Sequence, residues 1–253
     1  MMLSDVHVVR ALRCQVYMSR KWYADTEVSM TSSRIATIGF VAASACSVLC
    51  NAAALPNPAV DQARTDKKTE MVVFAGGCFW GIQAVFDATK GVSSAISGYS
   101  GGSKANAQYE IVSTGTTGHA ESVQVTFDPS QISFGQLLHI YFSIHDPTQL
   151  NHQDPDDGTQ YRSEIFYATD DQKRVAEAYI EQLTGAHAFP KRIVTKVAPL
   201  QAFYRAEDYH QDYVLHCRQG SPLCTNKPYV DHFDVPKLAN FKQQFPQFVK
   251  GGK

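Results

Sequence analysis

The chain has 253 residues, 44% of them hydrophobic, which is enough for one sizeable domain plus extensions. Its formal net charge is −1 and it carries no stripe or run of lysine and arginine, which argues against nucleic acid as a partner. Of six cysteines, Cys14, Cys46 and Cys50 lie near the N-terminus, and Cys78, Cys217 and Cys224 fall in the part expected to fold. Three thiols do not pair off into a static disulfide framework, and they lack the short paired spacing of a structural zinc site. Redox chemistry suits them better.

Residues 1–66 read as a leader. Within it, 35–49 is a short apolar run, preceded by Arg34 and followed by Asn51-Ala52-Ala53-Ala54. A positive flank, an apolar core and a small-residue exit form the layout of a secretory signal peptide. The run is too short to span a membrane comfortably. Because the leader before it is long, translation is expected to start at Met30, with export to the periplasm or beyond. A lipoprotein anchor at Cys46 or Cys50, an uncleaved anchor and a cytoplasmic location are the alternatives. Residues 55–68 read as a polar, proline-containing linker, and 67–253 as one domain.

The domain opens with an apolar strand over 71–75 that runs into Gly76-Gly77. A helix follows from Cys78 to about 89, then a strand over 92–99 and a glycine-rich loop over 101–118 holding Tyr109. A clear strand covers 119–127. Ser133 starts a helix with a capping box to Gln136 and an apolar stripe of Phe134, Leu137, Leu138 and Tyr141. The aspartate-dense stretch 145–161 reads as a loop holding Asp156 and Tyr161. A strand over 163–168, a helix capped by Asp170 and a strand over 193–199 complete the periodic part. Beyond 203 only a helical turn over 207–215 stands out. Irregular alternation of strands and helices predicts an α/β (α+β) fold, a mixed sheet with helices packed on it.

Cys78 falls at a helix N-terminus, where free N–H groups and the helix dipole favour a thiolate. Phe79 and Trp80 set aromatic walls beside the sulfur, and the glycines let a substrate approach closely. Glu121 shares a strand face with Val123, Val125 and Phe127. Burial there would keep it protonated, ready to give a proton to a polar oxygen; at a wet sheet rim it would be ordinary. Tyr109 and Tyr161 could add phenolic donors around one oxygen. Asp156 and Asp157 are simple turn residues beside Gly158. Cys217 and Cys224 lie in a loop mobile enough to bring a second thiol to Cys78. His210, His216, Cys217 and Cys224 are too irregularly spaced to read as a metal set.

Five motifs resemble the A-type peptide methionine sulfoxide reductases. They are Gly77-Cys78-Phe79-Trp80-Gly81, Thr117-Gly118-His119-Ala120-Glu121, His145-Asp146-Pro147-Thr148, Gly158-Thr159-Gln160-Tyr161-Arg162-Ser163 and Ala206-Glu207-Asp208-Tyr209-His210-Gln211-Asp212-Tyr213. The resemblance runs from Thr69 to Tyr213, and more loosely to Phe245. It implies a two-layer sandwich on a ferredoxin-like βαββαβ core with a long irregular C-terminal arm. It implies reduction of the S epimer of methionine sulfoxide, free or in proteins, by a monomer with no bound cofactor or metal and with an external dithiol such as thioredoxin. Cys78 matches the nucleophile, Phe79 and Trp80 the methyl pocket, and Glu121 the acid at the sulfoxide oxygen. Tyr109 and Tyr161 match the phenols sharing that oxygen, and Asp156 a substrate-site aspartate. Many members place a resolving cysteine after a short asparagine-proline turn. Here Cys217 comes sooner and Cys224 later, so either can resolve the sulfenic acid, and both are expected to take part.

Three other readings use the same cysteine. A peroxide-reducing thiol enzyme needs no inward carboxylic acid or methyl pocket. A redox sensor would cycle without turnover. A cysteine hydrolase would take His119, on the same strand face as Glu121, as its base.

Overall fold

The apolar run that ends at Gly76-Gly77 is a central strand of the sheet. A computed structural model describes residues 54–62 and 68–251. The expected signal peptide, the start at Met30 and Cys14, Cys46 and Cys50 lie outside the described residues. In chain order the elements are β1 (Glu70–Gly76), α1 (Phe79–Asp87), β2 (Val92–Ser100), α2 (Tyr109–Val112), β3 (Ala120–Phe127) and α3 (Phe134–Ser143). There follow β4 (His152–Gln153), β5 (Asp156–Asp157), β6 (Ser163–Tyr167), α4 (Asp170–Gly185), β7 (Lys196–Pro199) and β8 (Phe203–Arg205). The arm continues as α5 (Tyr213–Arg218), α6 (Lys227–Tyr229), a π-helical turn Val230–Asp234 and α7 (Val235–Gln244).

Six strands form one mixed sheet in the order β7-β6-β1-β3-β2-β8, antiparallel except for the parallel β6–β7 pair. β1 reads as a continuous apolar run because both its faces are covered. Val72 and Phe74 enter the main core with side chains of α1, α3 and α4, while Val73 and Ala75 face a smaller cluster with Ala120 and Phe166. The fold is α/β. Phe74 stacks on Phe86 at 5.2 Å and on Tyr141 at 4.8 Å between ring centroids. The Tyr141 hydroxyl donates to the Ala75 carbonyl at 2.7 Å, fixing the strand end just before the cysteine. Gly77 has φ +94°, and a Cβ there would lie 2.5 Å from Gln153. Only glycine makes that turn at low cost.

Local chemistry sets the helix starts. Ser133 caps α3 with the reciprocal capping box that the sequence predicts. α4 differs by one residue. Thr169 accepts from the Gln172 N–H at 3.2 Å, and Asp170 is the first helical residue, where its charge suits the dipole. The strand expected over 193–199 is confined to its second half, β7.

Part of the expected linker is docked on the domain. Leu55 packs against the main core. Tyr179 donates to the Pro56 carbonyl and Gln182 to the Asn57 carbonyl, each at 2.8 Å. Asp61 accepts from the Gly135 N–H at 2.8 Å and from the Ser133 hydroxyl, satisfying the open N-terminus of α3. The partners come from distant helices, so the local composition of this stretch does not reveal them.

Phe74 is fully buried at the centre of these stacks. Phe74→Ala should lower unfolding stability by about 3–5 kcal/mol, read from the urea midpoint.

Candidate active site

Cys78 is the N-cap of α1, at the bend from β1, as the sequence predicts. It is buried and is the free cysteine among the described residues. The electrostatics differ from expectation. Burial pushes its thiol well up, the carboxyls of Glu121, Asp234 and Asp156 push it further as they ionise, and the Trp80 N–H opposes them. At rest the sulfur holds its proton. The helix N-terminus is outweighed because three carboxyls share its low-dielectric surroundings.

Glu121 lies on the core face of β3, paired across the sheet with Tyr99. It is 2% exposed, and its Oε2 accepts the Phe79 N–H at 3.1 Å. Burial raises its carboxyl to about 8. The Phe79 N–H pulls the other way, while Asp156 and Asp234 add to the rise. Glu121 is therefore protonated at neutral pH, so the inward reading holds over the wet-rim one.

The aromatic residues close around His210, a residue the sequence reading placed only in a motif and in a conceivable metal set. Its ring lies 5.0 Å from Phe79, 5.8 Å from Trp80 and 4.5 Å from Tyr109. The Trp80 indole N–H donates to His210 Nδ1 at 3.1 Å. An indole can only donate, so Nδ1 carries no proton and the neutral ring carries its hydrogen on Nε2. Burial lowers its pKa to about 4, which keeps it neutral. Nε2 is buried and has no hydrogen-bond partner among the described residues. Trp80 also stacks on Tyr213 at 3.9 Å and meets the edge of Tyr229 at 5.9 Å.

Tyr109 opens the short helix α2 instead of lying in an open loop. Glu207 holds it there, accepting the Tyr109 N–H at 3.0 Å and the Tyr99 hydroxyl at 2.8 Å. Tyr161 ends the 3-10 turn Thr159–Tyr161. Its phenol is kept protonated by burial, and the charges of Glu121, Asp156 and Cys78 act on it. Asp156 is in the β4–β5 hairpin and accepts the Tyr229 hydroxyl, more than a turn residue would need. Burial raises its carboxyl. Tyr229 and Asp234 are members of this cluster that sequence reasoning missed. Only the order of the chain after Tyr213 hinted at them, because they reach the site through the arm.

His119 cannot act as a base for Cys78. Its Nδ1 accepts the Gly102 N–H at 3.2 Å, and its Nε2 lies 3.0 Å from the Ser103 carbonyl. Cys217 and Cys224 are joined by a disulfide. That removes both sulfurs from any set with His210 and His216 in this state. Cys217 is buried against Tyr213, Val214 and Val230, with Trp80 and Ala84 of α1 packed on the same cluster. Cys224 is only partly buried.

A buried acid, a free thiol at a helix start and an aromatic wall with polar donors suit attack on a small, soft, polar-capped sulfur group. The model of the family described as peptide methionine sulfoxide reductase matches residues 70–240. The peptide methionine sulfoxide reductase MsrA 2 of Mesorhizobium japonicum is 54% identical over 179 residues, covering 70% of this chain and 88% of the relative. The protein of that name from Synechocystis sp. is 50% identical over 200 residues, covering 78% and 90%. Among solved structures, reduced Mxr1 from Saccharomyces cerevisiae is similar with a TM-score of 0.55 and 33% identity, over 64% of this chain and 93% of that one. Methionine sulfoxide reductase A of Corynebacterium diphtheriae gives 0.53 and 36%, over 61% and 77%. The buried acid beside the free thiol thus has a chemistry to serve: the chain belongs to the peptide methionine sulfoxide reductases of the A type, enzymes that reduce methionine sulfoxide and so repair oxidised proteins.

Proposed function

We propose that Cys78 attacks the sulfur of the S epimer of methionine sulfoxide while Glu121 protonates its oxygen. The observation that carries this reading is the protonated Glu121 carboxyl, held by the Phe79 N–H at the start of the Cys78 helix. The bond first formed between the Cys78 and substrate sulfurs breaks as the protonated oxygen passes to Cys78, so the substrate S–O bond is lost and a Cys78 S–O bond forms. The substrate sulfur is reduced to the thioether, and Cys78 is oxidised to a sulfenic acid. Glu121 gives its proton to the oxygen and regains one from the Cys78 thiol, so the step neither gains nor loses protons. The Tyr109 and Tyr161 phenols stabilise the oxygen as charge grows on it. Phe79 and Trp80 take the methyl group. Asp156, with Tyr229, and the Nε2–H of His210 offer an acceptor and a donor to the substrate main chain. Such fixed contacts around one sulfur make the site chiral, and each sulfoxide epimer has its own reductase type.

The Cys217 thiol then displaces the sulfenic hydroxyl as water, Cys224 exchanges onto Cys217, and an external thioredoxin-like dithiol reduces the final disulfide. A Cys217–Cys224 bond with Cys78 free is the state this relay leaves behind, which supports it. Cys217 is taken as the first resolver because it packs with Trp80 and Ala84 of the Cys78 helix, and Cys224 as the outlet because it is the more exposed. The enzyme acts as a monomer, as the family resemblance implies. Export through a signal peptide from Met30 rests on the layout of residues 30–54.

The test is turnover of separated S and R epimers of a blocked methionine sulfoxide with dithiothreitol. Reduction of the S epimer alone, lost in Cys78→Ser, is expected; reduction of the R epimer, or of neither by folded protein, contradicts the reading. Because the acid is present only below its pKa, the chemical step should slow as pH rises through about 8. Glu121→Gln should cut kcat by about 10²–10⁴ and abolish that alkaline limb, read by single-turnover rates across pH.

A further inference from the structure

One buried acid of the cluster transfers no proton in the sulfoxide step derived above. Asp234 ends the π-helical turn Val230–Asp234, is fully buried, and has no hydrogen-bond partner among the described residues on either carboxyl oxygen. Buried polar groups are nearly always partnered, so such a carboxyl needs a reason. Insertions of this helical type recur at functional sites.

The side chain is aimed at the nucleophile's helix. A Cβ built on Gly81 would stand 2.4 Å from Asp234 Oδ1, so the glycine is what admits the carboxyl. Gly81 follows Cys78 by three residues, which sets the two on one face of the first turn of α1. On the other side, Val230 at the start of the π-helical turn packs in the Cys217 cluster, and Val235, next after Asp234, packs against it. Asp234 thus lies against the Cys78 face of α1, on a turn whose residues Val230 and Val235 pack with the buried cysteine of the C-terminal pair. The ionisable groups around it are Lys237, Asp156, Cys78, Glu121 and Tyr229. Burial raises its carboxyl to about 7, with Lys237 opposing and Asp156 adding, so it can hold or release a proton at neutral pH. Glu121 is committed elsewhere, on β3 and to the Phe79 N–H.

We propose that Asp234 is the proton-transfer residue of the resolving step, in which the Cys217 thiol displaces the hydroxyl of the Cys78 sulfenic acid. This rests on the Cys78–Cys217 relay proposed above. The Cys78–Cys217 S–S bond forms and the Cys78 S–O bond breaks. The Cys217 sulfur is oxidised and the Cys78 sulfur reduced, with no outside oxidant. Asp234 takes the Cys217 proton on one oxygen and gives a proton to the departing hydroxyl, which leaves as water. The carboxyl ends the step as it began.

The experiment is rapid quench of the fully reduced chain with one equivalent of the sulfoxide, for the parent and for Asp234→Asn. Methionine release reads the first step. Mass mapping of the Cys78–Cys217 disulfide, with dimedone trapping of sulfenic acid, reads the second. In the variant, disulfide formation should slow by about tenfold or more relative to methionine release, and the dimedone adduct of Cys78 should accumulate. Asp234→Ser serves if the first variant does not fold. An unchanged disulfide rate, or equal slowing of both steps, overturns the proposal. Methionine release that survives Cys78→Ser overturns the underlying reading instead.

Discussion

The hydrogen bond from the Phe79 N–H to Glu121 joins the nucleophile's helix to the acid's strand. It is the contact on which the site depends, because it brings a carboxyl to a helix N-terminus while leaving it in an apolar core. The two effects oppose each other, and magnitudes decide the outcome. A helix N-terminus favours a nearby negative charge by about 0.3–2 kcal/mol. A rise from 4.5 to about 8 corresponds to roughly 5 kcal/mol against the charged form. Burial wins, and the acid stays protonated. The same burial keeps the Cys78 thiol protonated. The resting site therefore holds one proton for the sulfoxide oxygen and a second to restore the acid.

The arm after β8 converts this pair into a shaped pocket. Gln211 accepts the Ser97 N–H at 3.0 Å and donates to the Ser97 and Ala206 carbonyls, each at 3.0 Å. Gln83 of α1 accepts the Asp212 N–H at 3.0 Å and the Ser97 hydroxyl at 3.0 Å. These buried amides lock the arm to α1 and β2 at once. Once locked, the arm delivers His210, Tyr213, Tyr229 and Asp234 to the nucleophile. A hydrophobic seam alone would leave the register of so short a set of helices loose. Hydrogen bonds between buried side chains and backbone fix it, since leaving any one unmade costs about 1–3 kcal/mol.

Much of the centre was legible in the sequence. A glycine pair before Cys78 marks the turn, and strand alternation alone turns Glu121 inward. The Ser133–Gln136 spacing identifies its helix start. What was not legible depends on long-range partners. The docking of residues 54–62 relies on Tyr179, Gln182 and the open end of α3, none of them near in sequence. Asp156 looked like a turn residue until Tyr229 of the arm was found on it. The state of Cys78 was misjudged for the same reason: its local position favours a thiolate, but Glu121, Asp234 and Asp156 come from other elements. The Cys217–Cys224 bond, seven residues apart, agrees with the expectation that both cysteines take part, although the odd count of three argues against a static framework.

The central claim is that Glu121 carries a proton at neutral pH because it is buried. Infrared difference spectra of the carboxyl C=O stretch, parent against Glu121→Gln, taken between about pH 3 and pH 10, test it directly. The account predicts a protonated-carboxyl band, absent from the variant, that persists at neutral pH and disappears through about 8. A band lost near the ordinary carboxylic value of 4.5 would contradict it and leave the site without its acid.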